Sequence, residues 1–108
     1  MHWDFMLEYE AALRTWRLAL SPVRAGAIAA EAIADHRLAY LDYEGPVTGN
    51  RGTVTALDRG EYLPVVNDGD IVEVELRGDK FKGRARLSRL SESGNWEFEF
   101  APHGMSER

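Results

Sequence analysis

Strict alternation of large apolar and polar side chains over residues 3–9 leaves this chain little choice but a half-buried β-strand at its start. Trp3, Phe5, Leu7 and Tyr9 fall on one face of such a strand, and His2, Asp4, Met6 and Glu8 on the other. The odd face is apolar and is expected to bury. The even face carries an imidazole and a carboxylate two positions apart, with β-carbons roughly 7 Å from one another. That is close enough for both to converge on one cation. A neutral imidazole nitrogen and a carboxylate oxygen suit a borderline divalent ion such as manganese or zinc. The same His-x-Asp spacing also occurs on ordinary polar strand faces, so both readings stand at this point.

The two-residue period returns further on. Val72, Val74 and Leu76 alternate with Glu73 and Glu75, and Phe81, Ala85 and Leu87 follow on the buried side with Gly83 among them. Gly78-Asp79 reads as a two-residue type II′ turn, which sets Glu75 opposite Lys82 and Glu73 opposite Arg84. Trp96, Phe98 and Phe100 point in on a last strand, with Glu97 and Glu99 out. Ala12 to Leu20, entered through a tight turn at Glu10-Ala11, reads as a second strand with Arg14, Trp16 and Leu18 on one side and Leu13, Thr15 and Arg17 on the other. Ser21-Pro22 ends it.

Val23 to Asp35 is rich in alanine and lacks a clear 3.6-residue stripe; composition favours a short helix there. Asp35 to Glu44 reads as a compact helical turn, and the glycines from Gly45 to Gly52 mark a loop. Thr53 to Leu57 is β-rich, Asp58-Arg59-Gly60 turns it back toward residues 61–63, and Pro64 to Gly69 reads as another loop. Six or seven short strands with turn signals every eight to twelve residues indicate an all-β fold, a small closed or partly open β-barrel with short helical turns. Residues 1–100 form the single domain expected of this length, and residues 101–108 a frayed tail.

Composition narrows the function. The 108 residues include no cysteine, which excludes a disulfide scaffold, a thiolate metal site and a cysteine nucleophile, and fits a reducing cytoplasm. The start lacks the basic and apolar regions of a signal peptide, and no stretch is long enough to span a membrane. A soluble, cytoplasmic monomer is expected. The formal net charge of −5 argues against an extended duplex binder, since phosphate neutralisation supplies most non-specific affinity. A local patch gripping a nucleic-acid end remains compatible with it.

Several blocks together resemble one family. His2-Trp3-Asp4-Phe5-Met6-Leu7-Glu8 is similar to the His-aromatic-Asp-Phe/Leu-Arg-Leu-Glu segment of the 3′-phosphoesterase domain of bacterial ligase D, the end-joining DNA ligase. Trp16 follows in place. Asp35-His36-Arg37-Leu38-Ala39-Tyr40-Leu41-Asp42-Tyr43-Glu44-Gly45 is similar to that family's Asp-His-Pro-Leu-x-Tyr-x-x-Phe-Glu-Gly. Gly52-Thr53-Val54, Asp58-Arg59-Gly60, the Leu76 to Arg84 stretch and Asn95-Trp96 keep the order. The resemblance covers residues 2 to about 98. It implies a small β-barrel that uses a divalent metal, manganese foremost, to remove a 3′-phosphate or 3′-ribonucleoside from DNA ends, with a DNA ligase or repair protein as a possible partner. It also implies that Ala29 to Ile33 is a strand, against the helix favoured by composition. By position, it makes His2 and Asp4 metal ligands, and puts His36 and Tyr40 at the scissile phosphate as catalytic residues. Two departures accompany it. The family's further metal-ligand histidine, six residues before the His2 position, has no counterpart where only Met1 precedes His2, as expected of an N-terminally shortened member. Met6 stands where the family has a phosphate-clamping arginine. Both imply impaired activity, and the alternative is a non-catalytic module that binds nucleic-acid ends or a repair partner on the same barrel.

Lys82, Arg84 and Arg86 share one face of one strand and are the candidate substrate-binding ladder for a phosphate backbone. Cross-strand pairing with Glu75 and Glu73 is the plainer account of the same residues. Trp3, Trp16 and Trp96 read as core.

Overall fold

The computed structural model describes residues 2–23, 26–41, 44–46, 53–54 and 56–102. Seven antiparallel strands form one curved sheet. They are β1 (Trp3–Tyr9), β2 (Ala12–Leu18), β3 (Ile28–His36), β6 (Gly60–Asn67), β7 (Ile71–Gly78), β8 (Lys82–Arg89) and β9 (Asn95–Pro102); the intervening β4 (Gly45–Pro46) and β5 (Thr53–Val54) pair only with each other. The spatial order is β1-β2-β3-β9-β8-β7-β6, so the last strand returns to pair with β3 and joins the two halves. The result is the partly open form of the expected barrel. Among the described residues the one helical element is a 3₁₀ turn, Leu38–Leu41, within the stretch expected to make one.

The free edges are β1 and β6. They are laced by side chains: the Tyr62 hydroxyl donates to the Glu8 carbonyl at 2.5 Å, and Arg14 Nη1 donates to Asn67 Oδ1 at 3.2 Å. Leu7, Trp16, Leu18, Ile28, Ala30, Val72, Val74, Ala85, Leu87, Trp96 and Phe98 fill the concave side, with Trp3, Phe5 and Phe100 packed against them. The three tryptophans are core, as the alternation implied. Removing a fully buried ring such as Trp16 is worth about 3–5 kcal/mol.

Composition alone misreads β3. Ala30 is the alanine that serves packing, buried opposite Trp96, while Ala32 lies opposite Trp16 and is exposed. The two indoles, on the strands either side of β3, meet edge-on at 5.7 Å between ring centroids. Small residues between them let the rings touch. Tertiary packing thus overrides helix propensity, which is worth only tenths of a kcal/mol per residue.

Three other expectations change. The β7–β8 register is Glu75 opposite Arg84 and Glu73 opposite Arg86, two residues from the pairing a tight turn at Gly78-Asp79 would give. The turn sits one residue later, at Asp79-Lys80, where the Gly78 amide donates to the Phe81 carbonyl at 3.0 Å, and the Asp58 carboxylate accepts the amides of Asp79, Lys80 and Phe81 at 3.0, 3.1 and 2.8 Å. Gly78 carries no side chain because a β-carbon there would collide with that carboxylate. Pro64 to Asn67 is strand rather than loop; β6 is an edge, so proline loses no ladder bond, and the register slips between Pro64 and Val66. At the carboxyl end, β9 carries through Pro102, and the rest of the expected frayed tail lies outside the described residues, as does most of the Gly45 to Gly52 loop.

Candidate active site

The convex face of the β1–β2–β3 half holds the polar candidates. Directly paired residues share a face, and β1 pairs with β2 through Asp4 opposite Arg17, Met6 opposite Thr15 and Glu8 opposite Leu13. On β3, even-numbered residues such as Ile28 and Ala30 point into the core. By parity His36 would do the same. A one-residue bulge prevents it: Ile33 lies opposite Thr15, and continuing that register would set Asp35 opposite Leu13, yet His36 stands there. The extra residue flips the phase of the strand end and delivers the imidazole to the convex face. The Leu38–Leu41 turn packs against β2 beside it, and Leu13 and Thr15 are buried beneath.

His2 and Asp4 stay together as their spacing implied. Nε2 of His2 is 3.9 Å from Oδ1 of Asp4, and the same oxygen accepts from Arg17 Nε at 3.3 Å. Two donors that far apart can share one ion, since metal bonds of about 2.1 Å span at most about 4.2 Å. Among the described residues no cluster of three or more His, Cys, Asp or Glu accompanies them. One imidazole nitrogen and one carboxylate oxygen are donors of the kind a divalent ion takes, and among the described residues the set numbers two. Met6, the next residue on that face, sits between this pair and Thr15.

His36 is held from below. Its Nδ1 lies 3.0 Å from the Thr15 hydroxyl oxygen, and that hydroxyl also contacts the Leu13 carbonyl at 2.9 Å. Tyr40, half-exposed on the helical turn, meets the imidazole edge-on at 5.4 Å. The four-residue spacing thus does bring these two rings into contact.

Lys82, Arg84 and Arg86 do not join this group. They are exposed on the convex side of β8, with β3 and β9 between them and β2. Arg86 is opposite Glu99, next to the Phe98–Ile28 pair, whereas His36 ends the other end of β3, eight residues or about 26 Å further along. Arg84 is committed to carboxylates: Nη1 donates to Glu73 at 2.7 Å and Nε to Glu75 at 3.2 Å. Those hydrogen bonds, Glu73 first, push its guanidinium further toward the charged form. Arg86 approaches Glu73 at 3.9 Å. Sequence reasoning overlooked Arg17 and Thr15 as site residues. Both were legible as companions of Leu13 on one face of β2, but nothing local marked that face as the one shared with His36.

The profile of the DNA ligase D 3′-phosphoesterase domain matches residues 1–89. The chain belongs to that family. A 3′-phosphoesterase-family relative, the multifunctional non-homologous end joining protein LigD of Pseudomonas aeruginosa (strain PAO1), is 31% identical over 104 residues, covering 87% of this chain and 12% of that protein. The chain thus spans about an eighth of the length of that relative. Family membership supports a role in processing DNA ends, and among the described residues no helix is long and apolar enough to cross a membrane.

Proposed function

We propose that this phosphoesterase-family domain acts on the 3′ ends of DNA, removing a 3′-phosphate or a 3′-terminal ribonucleoside. The observation that carries the reading is the β3 bulge, which puts the His36 imidazole on the same face as His2 and Asp4. His2 and Asp4 would hold a divalent ion, manganese foremost. Such an ion, when bound, polarises a phosphoryl oxygen and makes the phosphorus a better electrophile. His36, steadied by Thr15 and flanked by Tyr40, supplies a nitrogen and a phenol as hydrogen-bond partners to the charge that develops on the phosphate. Arg17 is the guanidinium on this face, in the neighbourhood where Met6 offers none, and can turn from Asp4 toward an anionic end.

A second reading has its own support. With two metal donors among the described residues, and one of them shared with Arg17, the face suits binding of a phosphorylated end without turnover. Catalytic sites of this kind normally supply three protein ligands. Turnover of a 3′-phosphorylated, 5′-labelled oligonucleotide with and without manganese separates the two. Slow, manganese-dependent release of phosphate, abolished by His36→Ala, is expected. Retention of the labelled end with no release at any manganese concentration would establish the binding module instead.

A further inference from the structure

We propose that Thr15 is a positioning residue that fixes the tautomer of His36, placing the proton on Nδ1 and leaving Nε2 as the nitrogen open to substrate. The proposal rests on the functional reading of His36 only for its consequence. Its geometry stands alone.

A threonine hydroxyl has one hydrogen to give and lone pairs to accept with. The Thr15 oxygen has two partners, the Leu13 carbonyl at 2.9 Å and His36 Nδ1 at 3.0 Å. A carbonyl can only accept, so the hydroxyl hydrogen belongs on the line to Leu13. The contact to Nδ1 must then be a bond in which the ring nitrogen donates. The opposite assignment would leave the hydroxyl oxygen and the Leu13 carbonyl facing one another with no hydrogen between them. Thr15 is 3% exposed, so water is not at hand to relieve that pairing. A histidine tautomer is set by whichever bond the other nitrogen makes. Here that bond lies beneath the ring, on the side of β2. Nε2 then keeps its lone pair, able to take up a proton from the reacting end and to give it back as an N–H donor. A chain of carbonyl, hydroxyl and imidazole thus aims a single nitrogen outward, which an isolated histidine in water, favouring the proton on Nε2, would not do.

Two-bond ¹H–¹⁵N correlation spectra of the uniformly labelled protein, taken above the imidazole titration, read the tautomer directly and need no turnover. The wild-type spectrum is expected to show a protonated-type shift at Nδ1 of His36 and a bare-type shift at Nε2. Thr15→Val should reverse the two, and Thr15→Ser should restore the wild-type pattern. Wild-type protein with the proton on Nε2 would overturn the proposal even if Thr15→Val failed to fold, and so would a Thr15→Val spectrum unchanged from wild type. Where phosphate release is measurable, Thr15→Val should lower it by on the order of 10- to 100-fold and Thr15→Ser by much less. A protein with no release at all but the expected spectra would fail the functional reading and leave the tautomer assignment standing.

Discussion

At the scale of single residues, the site is a set of short polar contacts around a gap that Met6 fills. Met6 lies opposite Thr15 and follows Asp4 on the same face, so an arginine there would extend between the His2–Asp4 pair and His36. A thioether cannot fork two charge-assisted hydrogen bonds to a phosphate, whereas a guanidinium can. Met6→Arg is therefore expected to tighten binding of a 3′-phosphorylated oligonucleotide by roughly tenfold, since a hydrogen bond to a charged group contributes about 1.5–3 kcal/mol. Fluorescence anisotropy against the unphosphorylated oligonucleotide checks it, and equal affinity for the two ends would refute it. The two-residue spacing of His2 and Asp4 put them on one face, which the structure bears out, but spacing alone left a metal pair and an ordinary polar strand face both open. The parity of His36 along β3 places it in the core, and only the bulge brings it out, so periodicity could not single it out and the resemblance to a family alone proposed it.

At the scale of elements, two devices decide which strand goes where. Ala30 sits opposite Trp96, beside the point where Trp16 and Trp96 meet, with 7% of its surface exposed. Ala30→Leu should overpack this junction and cost about 1–3 kcal/mol in urea unfolding; a neutral outcome would mean that the indoles can separate. The other device is Asp58. Burial pushes its carboxyl pKa up, but amide donors, Phe81 and Lys80 foremost, outweigh that and hold it below the usual carboxylate value. A depressed folded pKa means that Asp58 contributes stability above the unfolded carboxylate value of about 3.9, and that this contribution disappears as pH falls through the lower folded value. Asp58→Ala should accordingly lower the melting temperature at pH 7 by on the order of 5 °C, and the gap from wild type should close in acid below pH 4. A gap that persists undiminished at pH 2 would show that Asp58 acts by packing. Local patterns could not foresee this clamp, because its donors lie some twenty residues away in sequence, and the β7–β8 register was misjudged by two positions for that reason. The alternation of residues 72–76, 82–87 and 96–100, by contrast, was legible because one face of each strand is buried.

At the scale of the whole molecule, the sheet is open where β1 and β6 fail to pair, and the Tyr62 hydroxyl spans the opening. Burial, and then the Glu8 carboxylate, raise its pKa above the ordinary phenol value. The raised value means that the fold favours the neutral phenol, so stability is retained below the unfolded phenol pKa of about 10 and lost as pH rises through the folded one. Tyr62→Phe should cost about 1 kcal/mol at neutral pH, speed amide exchange along β6 relative to β8, and blunt the loss of stability above pH 10. Unchanged exchange in β6 would mean that the Arg14–Asn67 contact alone closes the seam.

The bulge between Ile33 and His36 also makes the domain unequally tolerant of changes in length. Residues inserted or lost between β2 and β3 leave the phase of every strand intact, because a loop does not count in twos. A single codon lost between positions 33 and 36 would remove the bulge and leave the imidazole two residues after Ile33, still opposite Leu13 and still outside, whereas loss of both intervening residues would turn it into the apolar interior. In lineages of this domain, a two-residue gap at that point marks a protein that has lost the site while still spelling it.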